Sequence, residues 1–208
     1  MAQSDAGRKD PSMLGASKYP RAPLDHYPTP PRATEAFLKI YGDDLPSMLV
    51  WEPFCGNGAI SKMIEPHTRA MVNTDIRAYD GFDPDGLCDF FKLESLDWLE
   101  LLSPGIRPDA IVTNPPYGKD AEKAARHALK LMEPEQGFVA FLCRHEWDTA
   151  KGRADLFDHP AFAAKITLRF RPRWIADSDG APRHSYSWYC WDWTLAHYSH
   201  RPEIHYAD

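Results

Sequence analysis

Hydrophobic positions along the chain fall in short runs that change period. MLVWEPF, AMVNTD, DAIVTN and GFVAFLC are compact apolar runs of strand length, whereas AISKMIE, SLDWLELL and AEKAARHALKLM spread their apolar positions at helical spacing. Strand alternating with helix predicts a parallel sheet with helices on both faces, an α/β fold of doubly wound, Rossmann-like type. Over residues 119–132, Ala121, Ala124, Ala125, Ala128, Leu129 and Met132 recur at i, i+3, i+4, i+7, so one helical stripe can cover that sheet. Farther on, AKITLRF and SYSWYCWDWTLA are separated by a Pro, Gly and charge-rich segment and predict an antiparallel pair at the sheet edge. Trp188, Trp191 and Trp193, spaced within the second of these runs, are expected to pack in the core. Residues 1–24, rich in Pro, Ser, Gly and charge, predict a flexible arm, and residues 25–208 a single domain.

Sheets of this kind bind ligands beyond the carboxyl ends of their strands. After the first run comes WEPFCGNGAISKMI, where Glu52 precedes Gly56 and Gly58 and a helix follows. Glycines there make the tight turn and let the backbone approach a ligand. Asp75 follows the next strand 17 residues after Gly58, near the offset of about 20 at which a carboxylate meets ribose hydroxyls. Position 61, where a dinucleotide fingerprint has its third glycine, is Ser61, and no Lys-Ser/Thr pair of a phosphate loop is present, so the pattern favours an adenosine ligand without phosphates. Asp89 stands beside Phe90 and Phe91, either as the opening residue of a turn or helix or as a carboxylate for an exocyclic amine. The fourth run ends on Asn114-Pro115-Pro116-Tyr117. Both prolines fix φ and lack N–H groups, and Asn114, preceding a proline, is driven to extended backbone, so the segment leaving the strand is stiff.

Composition narrows the field. With 208 residues, 43% hydrophobic, and seven Trp, nine Tyr and ten Phe, the chain has material for a substantial core. No signal-like or membrane-spanning run is present, which predicts a cytoplasmic protein. Cys55, Cys88, Cys143 and Cys190 lie far apart without a C-x-x-C pair, so reduced thiols are expected and no metal site is implied. The net charge of −6 disfavours binding polyanions by charge alone. The stretch from Lys165 to Arg183 nevertheless holds five basic residues against two acidic ones, interleaved with Phe170 and Trp174. It reads either as a solvated face or as a nucleic-acid surface.

Taken in order, Tyr27-Pro28-Thr29-Pro30, Glu52-Pro53-Phe54-Cys55-Gly56-Asn57-Gly58, Asp75-Ile76, Asp89-Phe90 and Asn114-Pro115-Pro116-Tyr117 resemble the S-adenosylmethionine-dependent adenine-N6 DNA methyltransferases, particularly the short phage and prophage forms. The resemblance spans roughly residues 26 to 145. It implies the methyltransferase variety of the Rossmann-like fold and S-adenosylmethionine as cofactor. Tyr27, Thr29 and Pro30 would meet the methionine end, with Glu52, Pro53, Phe54, Gly56 and Gly58 cradling it. Asp75 with Ile76 would serve the ribose, Asp89 the adenine amine and Phe90 the adenine pocket. Asn114 to Tyr117 would carry the chemistry.

By that resemblance the target is an exocyclic adenine amine, whose lone pair is delocalised into the ring. The Asn114 side-chain oxygen and the Pro115 carbonyl would each hold one N–H, and Tyr117 would stack on a base flipped out of the duplex. Arg144, Arg169, Arg171, Arg173, Arg183, His184 and Tyr186 are the candidate nucleic-acid contacts, within a minimal binding segment around 150–186. Since little chain follows residue 145 for base readout, specificity is expected to be short or absent. RNA-adenine and protein-glutamine methylation, and a noncatalytic cofactor-binding subunit, are the alternatives. Oligomeric state is not legible.

Overall fold

A computed structural model describes residues 27–102, 104–174 and 181–208, so the arm expected at residues 1–24 lies outside the described residues. In chain order the elements are α1 (Pro31–Tyr41), β1 (Leu49–Glu52), α2 (Ser61–Ile64), β2 (Ala70–Asp75), β3 (Gly86–Leu87), α3 (Asp97–Glu100), β4 (Ala110–Thr113), α4 (Lys119–Met132), β5 (Phe138–Arg144), α5 (Ala154–Phe157), β6 (Phe162–Leu168), β7 (Tyr186–Asp192) and β8 (Glu203–Ala207). The strands form one eight-stranded sheet in the order β3-β2-β1-β4-β5-β7-β6-β8. β3, β2, β1, β4 and β5 run parallel, and β7 is antiparallel to both its neighbours, β5 and β6. The expected α/β sheet with its antiparallel C-terminal pair is therefore present.

Beyond it the chain adds β8, parallel to β6 from Ala164↔Glu203 to Leu168↔Ala207. Its sequence, EIHYA, alternates polar and apolar residues, yet Ile204 and Tyr206 are exposed and only Ala207 is buried. α1 was not expected, although Pro31 supplies the fixed φ suited to a first helical turn and Ala33, Ala36 and Phe37 bury one face.

Helices cover both faces. α3, α4 and α5 lie over one core layer, which contains Trp51, Ile111, Val139, Tyr189 and Trp191. α1 and α2 cover the other, which contains Val50, Val112, Ala140, Ile166 and Trp188. α4 spans the expected segment and buries its alanine stripe. Small side chains let a helix approach a sheet closely, and the six predicted positions are all buried.

The tryptophans act as pins. Trp188 donates its indole N–H to the Ala33 carbonyl at 2.8 Å, Trp191 to Leu156 at 2.8 Å and Trp193 to Leu129 at 3.0 Å. One core residue thereby ties the sheet to α1, the next to α5 and the last to α4, with each buried N–H satisfied.

Chain order reverses between β1 and β4: β2 and β3 lie on one side, β5 on the other. Glu52 ends β1 and Asn114 follows β4, so the two best sequence candidates flank the switch point. Because β7 runs backward, its first residue, Tyr186, pairs with Arg144 at the end of β5. The strand ends bearing Asp75, Glu52, Asn114, Arg144 and Arg169 therefore share one rim of the sheet.

Candidate functional site

At this rim a cavity of about 310 Å³ opens over the ends of β1, β2 and β4. Tyr27, Thr29, Glu52, Pro53, Phe54, Gly56, Asp75, Ile76, Asp89, Phe90 and Asn114 line it, as do Pro115 and Pro116. Those are most of the residues singled out in the sequence. Pro30 and Gly58 do not line it. Pro30 precedes the first turn of α1 in extended conformation. Gly58 has φ +72° and packs against Phe82, whose ring would lie 2.5 Å from an added Cβ. Its place is in the turn rather than on a ligand.

The glycine turn is fastened to the end of β2. Asp75 accepts from the Gly56 N–H at 2.9 Å through one carboxylate oxygen and from the Ile76 N–H at 2.7 Å through the other. Buried and tied at both oxygens, Asp75 is fixed in place while still lining the cavity. Glu52 is buried as well and accepts from both the backbone N–H (2.9 Å) and the hydroxyl of Ser61. Burial pushes its carboxyl up to about 8 against the opposing pull of Ser61, with the nearby Asp75 adding to the rise. Ser61 is thus the side-chain partner that holds Glu52, where a dinucleotide fingerprint would have its third glycine. Sequence reading treated it only as a missing glycine.

Asp89 takes the turn-opening role that its sequence left open. Its side chain accepts from the Phe91 N–H at 3.2 Å, opening a short 3-10 turn, and it also lines the cavity. Phe90 sits among Phe54 (centroids 4.9 Å apart), Trp51 and His127 and forms an apolar wall. Tyr79, Cys88, Phe91 and Asp120 also line the cavity. Of these only Cys88 and Phe91, flanking the Asp89-Phe90 pair, carried a signal in the sequence.

The stiff segment after β4 leaves a group unpaired. Asn114 Oδ1 is buried and has no hydrogen-bond partner among the described residues. Tyr117 does not line the cavity. Its ring lies 6.2 Å from that of Tyr27 and meets Trp174 edge-on at 6.1 Å, with its hydroxyl buried. Burial raises that phenol well above its ordinary range, with Tyr186 beside it adding to the rise.

The basic half of the rim is more mixed than its sequence. Arg144, Arg169, Arg171, Arg173, Arg183 and His184 are exposed. Arg144 Nη1 lies 3.2 Å from His184 Nδ1, and burial together with Arg144 holds His184 below the ordinary histidine range. Arg169 stacks over Tyr206 at 4.7 Å, and Arg171 reaches the Pro182 carbonyl at 3.5 Å. Tyr186 corrects the expectation of a surface contact: at 4% exposure it is buried, packed 4.8 Å from Trp174, because the first residue of β7 points into the core layer below the rim. Lys165, counted in the basic stretch, is committed to Asp148 at 2.6 Å and to the His145 carbonyl at 2.9 Å.

No family model matches the chain, and no curated protein matches it. Among solved structures, it is similar to a candidate RNA methyltransferase from Pyrococcus horikoshii at TM-score 0.60 and 14% identity, over 84% of this chain and 90% of that one. It is also similar to the modification subunit of a candidate type I restriction enzyme from Vibrio vulnificus (TM-score 0.54, 11% identity, 87% of this chain and 47% of that one). A type I restriction-modification methyltransferase subunit from Streptococcus thermophilus matches at TM-score 0.51 and 12% identity, over 79% of this chain and 44% of that one. The fold is the Rossmann-like methyltransferase fold. The chain spans less than half the length of the two restriction-modification subunits. At the strand ends the cavity brings together a fixed carboxylate after β2, a second carboxylate beside an aromatic wall, and a glycine turn. Among the described residues no cluster of His, Cys, Asp and Glu could hold a metal ion, and no helix is long and apolar enough to cross a membrane.

Proposed function

We propose that the protein transfers a methyl group from S-adenosylmethionine to the exocyclic N6 amine of adenine in DNA, with short or little sequence specificity. The observation that carries this reading is the unpartnered, buried Asn114 Oδ1 at the mouth of a cavity suited to an adenosyl ligand. A buried acceptor without a donor is rare in folded proteins, and an incoming N–H would satisfy it.

In this reading Asp75 would hold the ribose hydroxyls, Asp89 the adenine amine against the Phe90 wall, and Glu52 with the Gly56 turn the methionine end. When bound, S-adenosylmethionine supplies an electrophilic methyl group on a sulfonium. Asn114 Oδ1 and the Pro115 carbonyl would each accept a hydrogen bond from one N–H of the substrate amine. This favours a pyramidal nitrogen whose lone pair is no longer shared with the ring. Proline at 115 and 116 holds both acceptors still, so the site does not reorganise as charge develops. As the new N–C bond forms, the S–C bond breaks and its electrons stay on a neutral thioether; the nitrogen's surplus proton would pass to water, while Asn114, being neutral, orients the amine without taking the proton.

The exposed arginines along the right of the rim support a polyanionic substrate. Residues 162–168 within the basic segment are consumed by β6, and exposed arginine side chains beyond it are suited to phosphates more than to base edges. An RNA substrate is the second reading, favoured by the likeness to a candidate RNA methyltransferase. Tritiated methyl transfer to duplex DNA, single-stranded DNA and RNA, followed by nucleoside analysis, tests both. N6-methyladenosine of the deoxy series is expected, and label in protein or in no nucleic acid would refute the proposal.

A further inference from the structure

Two buried polar atoms without a partner among the described residues, Asn114 Oδ1 and Trp174 Nε1, belong to one neighbourhood, joined by Tyr117, whose buried hydroxyl lies beside Asn114 and Tyr186. Asn114 and Tyr117 arrive from β4, whereas Trp174 arrives from the far side of the sheet, six residues past the end of β6. Its ring meets Tyr117 edge-on at 6.1 Å and Tyr186 at 4.8 Å. The neighbouring Arg171 and Arg173 are exposed while Trp174 turns inward and is half-buried. The segment thus shows cations to solvent and sends one aromatic group onto Tyr117, three residues after Asn114.

The polar atoms are complementary to one class of ligand. An indole N–H can only donate, and an amide oxygen can only accept. A ligand satisfying both brings an amine for Asn114 and an acceptor for Trp174. To fit among Tyr27, Tyr117 and Trp174 it must also be flat, since bases gain by stacking on such rings. An aminopurine, with its exocyclic amine beside ring nitrogens, meets all three conditions. We infer that Trp174 is a specificity-determining residue whose indole N–H donates to a ring nitrogen of the substrate base while Asn114 holds that base's amine. The inference rests on the proposed adenine methylation and deepens it. A base seated there parts the contact between Tyr117 and Trp174, so one event uncovers the Tyr117 ring and pairs the Trp174 N–H.

The test uses oligonucleotides carrying a single adenine, or 1-deaza-, 3-deaza- or 7-deazaadenine in its place, with the wild-type protein and Trp174→Phe. Phenylalanine keeps an aromatic ring and removes the N–H. Affinity by fluorescence anisotropy and the kcat against KM split are measured for each pair, with thermal melting as the control for folding. The wild type is expected to bind one of the three analogues about tenfold more weakly than adenine, the usual worth of one hydrogen bond. Trp174→Phe is expected to lose about tenfold toward adenine and nothing further toward that same analogue. Equal binding of all three analogues by the wild type overturns the inference, even if Trp174→Phe does not fold. So do losses from the variant and the analogue that simply multiply. Adenine methylation by the wild type with either of these results refutes the role of Trp174 alone. Absence of adenine binding and methylation in DNA and RNA refutes the proposed function as well.

Discussion

The rim of the sheet divides at β4 into two regions of opposite character. Toward β3, the strand ends carry Glu52, Asp75 and Asp89, with two of the carboxylates buried and each held by specific N–H or O–H donors. Toward β8, they carry exposed arginines, such as Arg171, which reaches the Pro182 carbonyl at 3.5 Å, and Arg169, which stacks over Tyr206. A small ligand whose every atom must be placed calls for fixed partners, and desolvation makes each contact count. A polyanion with repeating phosphates needs charge within reach and tolerates mobile side chains. Asn114 stands on the boundary, where a methyl donor on one side and an amine on the other would meet. The contrast sets fixed carboxylates on one side of the topological switch point and exposed cations on the other.

The sharpest way to break that division is at the boundary. Asn114→Ala is expected to lower the methylation rate by two orders of magnitude or more while leaving S-adenosylmethionine affinity nearly intact, because the lost acceptor acts on the transition state. Single-turnover transfer beside calorimetric binding checks it, and a wild-type rate would reject the assignment.

Within the carboxylate half, Asp75→Asn removes one of two carboxylate oxygens that also fasten Gly56 and Ile76. Cofactor affinity is expected to fall by roughly 1.5–3 kcal/mol, the worth of hydrogen bonds to a charged group. Calorimetry on the folded variant measures it. Loss of affinity without loss of base binding would confirm that the halves are separable.

Glu52 adds a pH dependence to the same half. Its folded carboxyl is raised by burial from 4.5 to about 8, so between those values the folded state binds more protons than the unfolded one. Stability is therefore greatest below the unfolded value and declines as pH rises through the window to about 8, by on the order of 1 kcal/mol per pH unit. Urea unfolding of the wild type and of Glu52→Gln between pH 5 and pH 9 should show the slope in the first and a flatter profile in the second. A wild-type stability that rises with pH across this window would contradict the assignment.

The smallest effects belong to the cationic half. Replacing Arg171 and Arg183 by Ala should weaken binding to all DNA sequences about equally and reduce the log–log salt slope by up to about 1.8, if each contacts one phosphate. Binding titrations over a salt series measure it. Relaxed preference at a single base position, with the salt slope unchanged, would mean that one of these arginines reads sequence.

Much of the carboxylate half was legible in the sequence because its determinants are local. The alanine stripe of α4, the two prolines after Asn114, and the glycine turn between β1 and α2 each act through backbone geometry or period within a few residues. Their positions at successive strand ends follow once strand and helix alternate. What the sequence could not decide were pairings between distant residues. Ser61 looked like an absent glycine, and only the fold brings its hydroxyl to Glu52. Tyr186 looked like a surface contact, and only the reversal of β7 buries it beside Trp174. β8 leaves its apolar Ile204 and Tyr206 exposed, and its backbone pairs along the edge that β6 offers. Burial and hydrogen-bond satisfaction are properties of the assembled rim. A chain written in one dimension states which groups are available, and the tertiary structure decides which of them are left without a partner, as at Asn114 and Trp174.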